Sequence, residues 1–489
     1  MIKVPFVLAS LAAATILWVN AAPAADKRPI PSGPQTDGAF RKVILDTDRQ
    51  IDGQWMDTLK DPMELAVAPD GRVFYAQRDG TIKAWKPDTK TTIVIAKIPV
   101  FEGLEEGMLG ITLDPNFGKN GWIYLNHSLP QTTPDAHGKK AGIIRVSRYT
   151  LVGGSLDLTS EKKILDTAVQ REQCCHVGGS LAFDSQGNLY VSVGDNTNPF
   201  DSDGYAPIDE RPDRSPWDAQ KSAANPNDLR GKINRVHPEP DGTYTIPKGN
   251  LFPPGTPGTR PEIYVMGCRN PFRISVDKKS GFLYWGEVGP DAGGPSPSRG
   301  PAGFDEVNQA RQAGNFGWPY FIADNKAYVK YDFATKISGA PFDPLHPVNL
   351  SPNNTGAKVL PPAQPAFISY TYGFSTKFPV VNGGGGRTAM AGPVYYFDPN
   401  LGSDAKLPKE FDHTLFIYEW SRNWITAVHL DANERIAKME RFCDHMTFKR
   451  PMDMELGPDG CLYIIEFGTA WGNNLDSQLV RLEHTGPQS

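Results

Sequence analysis

Cys174–Asn196 reads CCHVGGSLAFDSQGNLYVSVGDN. A histidine stands just before an apolar strand. A tight turn at Ser185-Gln186-Gly187 follows, then a second strand, then an aspartate. An antiparallel pair of this kind returns both chain ends to one edge of a sheet. His176 and Asp195 therefore meet at the same rim. Related strand–turn–strand units recur at Glu64–Pro87, Met108–Ser128, Pro271–Gly289, His413–Asp431 and Met452–Gly468. In most copies a strand ends near Asp or Pro, a Gly turn follows, and the second strand carries Tyr or Trp. No other copy has a His followed by an Asp in the places that His176 and Asp195 hold.

Periodic units of this kind point to radial repetition, and the copies give about six blades. The fold class expected is all-β, a six-bladed β-propeller with long loop insertions on one face. A β-sandwich with coincidental hairpins is the alternative. The 48 Gly and 44 Pro fit a chain of many turns better than one of long helices. Thr197 to Pro261 and Pro319 to Pro393 are rich in Pro, Gly and Asx and lack helical periodicity, so they are read as the insertions on a binding face.

The first residues look like a targeting segment. Lys3 is followed by an apolar run from Val4 to Val19 and the small-residue stretch Ala22-Pro23-Ala24. The expected organisation is a signal peptide over 1–24, a polar Pro-rich linker over 25–38 and the propeller over 39–489. That implies a secreted or periplasmic protein without an integral membrane segment in the mature chain. A net charge of −5 supplies no basic footprint, so nucleic acid is not expected as a partner. Five cysteines leave at least one thiol unpaired within the chain. Cys443 with Cys461, and adjacent Cys174 with Cys175, are open pairings, as are free thiols. No C-x-x-C-H haem site occurs.

His176 has the residue type of a general base, since imidazole titrates near working pH. Asp195 would orient the ring and steady its cation. The plainer alternative is a strand-edge histidine bonded to a turn, but Gly178 and Gly179 beside it permit close approach by a ligand. Arg269, in GCRNPFRI, opens the next blade at the matching rim and can stabilise developing negative charge. The carbonyls of Gly289 and Pro290, with Asp291 and Glu306 near in sequence, are hard oxygen donors suited to Ca²⁺. Asp201, Asp203, Asp209 and Glu210 lack EF-hand spacing and read as a solvated acidic loop. Arg422, Lys449 and Arg450 sit near later blade edges and, with Arg269, form a candidate anion pocket.

With these pieces in order, the chain resembles the soluble PQQ-dependent sugar dehydrogenases, the glucose/sorbosone or aldose dehydrogenase family. ELAVAPDGRVF, EEGMLGITLDPNF, HVGGSLAFDSQGNLYVSVGD, GCRNPFRI, EVGPD, FDEVN, GNFGWP and RPMDMELGPDGCLYI carry the likeness. The resemblance implies a six-bladed propeller with PQQ and Ca²⁺ as cofactors. It also implies a sugar substrate and, without attached haem, an external electron acceptor. In catalytic roles it places His176 as base, Asp195 as its partner and Arg269 beside the reacting quinone carbonyl. Asn270 and Arg450 match cofactor contacts, with Arg422 beside the position of a cofactor lysine. Gly289 and Pro290 match the carbonyls that hold Ca²⁺. Three positions depart from the family pattern: Ser421 stands where it has a lysine, Met452 where it has an arginine and Val288 where it has a glutamine. The implied activity is oxidation of a sugar hydroxyl, with hydride passing to the quinone. The rival readings are a calcium-dependent propeller lactonase or esterase and a non-catalytic propeller that binds carbohydrate or protein.

Overall fold

A computed structural model describes residues 35–486 except Gly384, Trp471 and Asn473. The segment read as a signal peptide, and all but the end of the linker, lie outside the described residues. The regular secondary structure is nearly all β, joined by long loops. Six antiparallel sheets surround one axis as a six-bladed β-propeller. The inner strands are Pro62–Val67, Met108–Leu113, Leu181–Phe183, Pro271–Val276, Ala389–Tyr395 and Pro451–Leu456. Each packs against the next, and the sixth packs against the first.

The ring closes through the start of the chain. Phe40–Thr47 pairs antiparallel with Gln478–His484, so the sixth blade takes strands from both ends of the described chain. Gln35–Asp37, read as the end of a linker, is a short edge strand on Phe40–Thr47. The buried Lys42 ammonium lies 2.5 Å from the buried Glu466 carboxylate across this seam. Closure of this kind ties the two ends of the described chain into one sheet, leaving only short blade edges.

The turn signals hold their places. Gly71, Gly187 and Gly460 have φ of +84°, +80° and +73° in equivalent hairpins of the first, third and sixth blades. Only glycine enters that left-handed region without steric cost. Strand alternation then drives apolar side chains between the blades. Trp285, for example, is fully buried and meets the edge of Phe316 at 4.6 Å. Each such fully buried large apolar side chain contributes about 1.5–3 kcal/mol.

The axis itself is polar. The Arg273 guanidinium, fully buried, donates to the carbonyls of Met63 (2.6 Å) and Met452 (3.0 Å). Glu64 accepts from the Ile111 amide at 2.7 Å and from the Ser180 hydroxyl, and Asp453 accepts from the Leu65 amide at 2.8 Å. Inner strands of five blades are thereby tied around one buried charge cluster.

Two expectations are corrected. The read insertions contain blade strands. Within the first, Lys232–Pro238 is the third strand of the third blade, which Ile263–Met266, just beyond the insertion, completes; within the second, Ile368–Tyr370 completes the fourth blade. In the fifth blade, His413–Asp431 covers the middle two strands, and the inner strand is Ala389–Tyr395.

Candidate active site

His176 lies on the connection from Ser155–Gln170, the outer strand of the second blade, to Leu181–Phe183, the inner strand of the third. Asp195 follows Leu189–Val193. The two segments are joined by backbone, the Asn196 amide donating to the His176 carbonyl at 3.0 Å. A Cβ on Gly194 would come within 2.5 Å of that carbonyl, so only glycine permits the approach. Cys174 and Cys175 form a disulfide directly before the histidine, while Cys268, Cys443 and Cys461 are free and buried. The open pairing of Cys443 with Cys461 is therefore not made.

His176 and Asp195 are buried, with 4% and 0% of their surface exposed. The imidazole Nδ1 lies 2.9 Å from Asp195 Oδ1. That oxygen also accepts from the Thr197 amide at 3.0 Å, and Oδ2 accepts from the Trp318 indole at 2.8 Å. A carboxylate surrounded by donors fixes the imidazole with its proton on Nδ1. Nε2 is left as the basic atom of the ring. Sequence reasoning noted the GNFGWP run but gave Trp318 no role.

Arg269 and Asn270 open the fourth blade at the same rim. Their backbone amides both donate to Glu287 Oε1, the first at 2.7 Å, and the Trp285 indole donates to Oε2 at 3.1 Å. Burial, and next the neighbouring Glu306 carboxyl, push Glu287 up to about 8. Glu287 thus positions the Arg269–Asn270 peptide, another role that the sequence reading did not assign. The buried Arg269 guanidinium donates to the Val288 carbonyl (2.8 Å) and lies 3.6 Å from Asp291. Asn270 Oδ1 accepts from the Gly178 amide at 3.0 Å, linking the arginine's blade to the histidine's loop.

The remaining candidates are each held by local partners. Arg422 donates to three carbonyls, Gly386 (2.8 Å), Val381 (3.0 Å) and Thr371 (2.9 Å), so it ties one loop together. Ser421 shares a hydrogen bond with Thr388, and Met452 lies in the apolar core. Arg450 donates to the Ala470 carbonyl at 3.0 Å and lies over the Trp420 ring. Lys449 lies 3.6 Å from Asp476. In the acidic loop read as solvated, Asp201, Asp203 and Glu210 are exposed and Asp209 is buried; Asp209 pairs with Arg211 and Arg214, Asp201 with Arg214, and Asp203 with Arg299.

The residues can be compared with the cofactors expected. Arg269 Nε and Arg387 Nε are buried and make no hydrogen bond among the described residues, while Arg387 Nη1 lies 3.3 Å from the Asp305 carboxylate. Unsatisfied charged donors are costly, so a ligand rich in anionic oxygens such as PQQ fits them. Of the two carbonyls read as calcium donors, one is already engaged. The Pro290 carbonyl already accepts from Arg387 Nη2 at 2.7 Å.

The chain is thus a closed six-bladed propeller with a buried His–Asp pair and the buried Arg269 at one rim. Residues 59–347 match the glucose/sorbosone dehydrogenase family, and the chain belongs to that family. It is similar to aldose sugar dehydrogenase YliI of Escherichia coli (26% identity over 265 residues, 54% of this chain and 60% of that protein). It is also similar to quinoprotein glucose dehydrogenase B of Acinetobacter calcoaceticus (26% over 362 residues, 70% of each). The first of these alignments thus spans less than two thirds of the relative. In fold it resembles the PQQ-bound aldose sugar dehydrogenase of Streptomyces coelicolor, with a TM-score of 0.55 and 16% identity over 92% of this chain and 99% of that one. Among the described residues no helix is long and apolar enough to cross a membrane.

Proposed function

We propose that the protein is a sugar dehydrogenase that oxidises a CH–OH group of an aldose- or sorbosone-type sugar. A quinone held beside Arg269 would take the two electrons, and an external acceptor would then remove them. The observation that carries the reading is the Nδ1–Oδ1 contact of 2.9 Å in a buried pair whose carboxylate is also held by Trp318. His176 Nε2 takes the hydroxyl proton as the C–H bond breaks, and Asp195 steadies the imidazolium that forms. A quinone of the PQQ type, when bound, supplies the two-electron hydride acceptor. Arg269 presents fixed positive charge at the same rim, and its burial keeps water from screening it. Asn270 holds the Gly178 loop and so keeps His176 in register with Arg269.

The lactonase and non-catalytic readings have no specific observation in their favour, and family membership favours the dehydrogenase. The decisive experiment is titration of purified protein with PQQ, followed by absorbance and by dye reduction across aldoses. A saturable spectral change with sugar-dependent turnover is expected. No spectral change and no turnover with any sugar would overturn the proposal. Secretion is proposed from residues 1–24 and is tested by N-terminal sequencing of the exported protein.

A further inference from the structure

The turn Val288–Asp291 is where a metal would be sought, and two arginines already hold it. Arg269 Nη1 donates to the Val288 carbonyl at 2.8 Å, and Arg387 Nη2 donates to the Pro290 carbonyl at 2.7 Å. The carboxylates nearby are committed as well. Asp305 accepts from the amides of Gly289 (3.1 Å) and Ala389 (3.0 Å) and lies 3.3 Å from Arg387 Nη1. Asp291 lies between Arg269 and the Tyr372 hydroxyl, which donates to it at 3.2 Å. Glu287 accepts from three N–H groups, and Glu306 accepts from the Ala323 amide and the Asn308 side chain. Calcium requires about six to eight oxygen ligands. A divalent ion at Pro290 would also have to sit beside a guanidinium already bonded to the same carbonyl, with like charges repelling.

Arg387 is built in and not merely nearby. Its side chain is 1% exposed, and its guanidinium lies over the Tyr372 ring at 3.9 Å. Its Nη1 is paired with Asp305, and its Nε makes no hydrogen bond among the described residues. A guanidinium is permanently charged and planar, and it presents N–H groups in a fixed fork. It can therefore do two things a bound cation does at such a turn: hold the carbonyls in place and offer fixed positive charge to a ligand oxygen.

We propose that Arg387 takes the place of a divalent cation at the Val288–Asp291 turn, so that this family member captures its anionic quinone without calcium. The proposal rests on the dehydrogenase reading for the identity of the ligand, but not for the calcium behaviour of the empty protein. The test begins with chelated, quinone-free protein. Metal content by mass spectrometry, calcium titration calorimetry and melting temperature are read with and without calcium. The wild type is expected to hold no stoichiometric calcium, to give no binding heat and to melt at the same temperature in chelator and in calcium. One tightly bound calcium, displaced by chelator with a fall in melting temperature, would overturn the proposal. PQQ titration by absorbance is the second arm. Wild-type affinity should agree within about threefold between chelator and calcium, and Arg387→Gln should weaken it by roughly tenfold or more. Arg387→Lys, which keeps the charge, should recover part of the loss and guards against misfolding of the glutamine variant. A tenfold loss of wild-type affinity on chelation would also overturn the proposal. Absence of PQQ binding in every condition would instead overturn the dehydrogenase reading, and the calcium measurements would still decide the role of Arg387.

Discussion

Asp195→Asn tests the proposed site at its centre, because the carboxylate has no spare acceptor for an amide to replace. Oδ1 accepts from His176 Nδ1 and the Thr197 amide, and Oδ2 accepts from the Trp318 indole. An amide in either orientation turns its NH₂ toward a donor. Facing Trp318, it loses that hydrogen bond and removes the negative charge beside the ring. Facing Thr197 and His176, it loses the Thr197 bond and makes Nδ1 the acceptor, moving the ring proton to Nε2. In that tautomer Nε2 cannot take a proton from substrate. Removal of a positioned general base costs about 10²–10⁴ in rate, which is about 3–5.5 kcal/mol of barrier. The unpaired donor costs about 1–3 kcal/mol of stability. The assay is dye-linked oxidation of the best aldose at saturating PQQ, with melting curves to show folding. We expect kcat to fall by about 10²–10⁴ with KM within about threefold. His176→Gln should fall comparably, and the double variant should be no worse than either, since the two act as a unit. A folded Asp195→Asn variant with kcat within about threefold of wild type would refute the general-base assignment.

Three other outcomes are expected. Trp318→Phe keeps the ring but removes the donor to Asp195 Oδ2, and should lower kcat/KM by roughly fivefold, as loss of about 1 kcal/mol requires; unchanged kinetics would show that the indole only fills space. Glu287 has its pKa raised to about 8 by burial, so its stability contribution is complete below about 4.5 and is lost as pH rises through about 8. Glu287→Gln should therefore flatten the decline of melting temperature between these pH values, and an unchanged slope would reject the assignment. Lys42→Ala leaves the Glu466 carboxylate buried without its ion-pair partner at the ring closure. It should cost about 3–5 kcal/mol, read by urea denaturation, and a cost below about 1 kcal/mol would show that the seam does not depend on the pair.

Much of the fold was legible because each hairpin repeats its turn chemistry in sequence. The closing strand was not. FRKVILDT at Phe40–Thr47 lacks the Gly turn and aromatic punctuation, and its partner stands at the far end of the chain. The inner strand of the fifth blade was missed because AMAGPVY contains Gly392 and Pro393, which read as breakers. A register shift between Ala391 and Val394 accommodates them. The His176–Asp195 contact was legible because one hairpin delivers both residues. Trp318 reaches the same carboxylate from 123 positions away, and no local spacing predicts that.

The arginines explain why the rest of the site was harder to read. In sequence Arg269, Arg387 and Arg422 are alike, each in a glycine- or asparagine-flanked or loop-edge setting. What separates them is how far the protein's own acceptors satisfy the guanidinium. Arg422 donates to three carbonyls and so stabilises the 371–386 loop. Arg269 and Arg387 are buried, yet each retains a nitrogen atom without a hydrogen bond among the described residues. Burial of a charged donor without an acceptor opposes folding. Such a cost is tolerated where a ligand later completes the set, which is how binding sites differ from structural ion pairs. Under the proposed function, the anionic cofactor is therefore held from the Arg269 and Arg387 side, next to His176. The resemblance sets Ser421 and Met452 where the family carries cations, and on the same proposal that side of the pocket is the weaker one while the reacting side stays furnished.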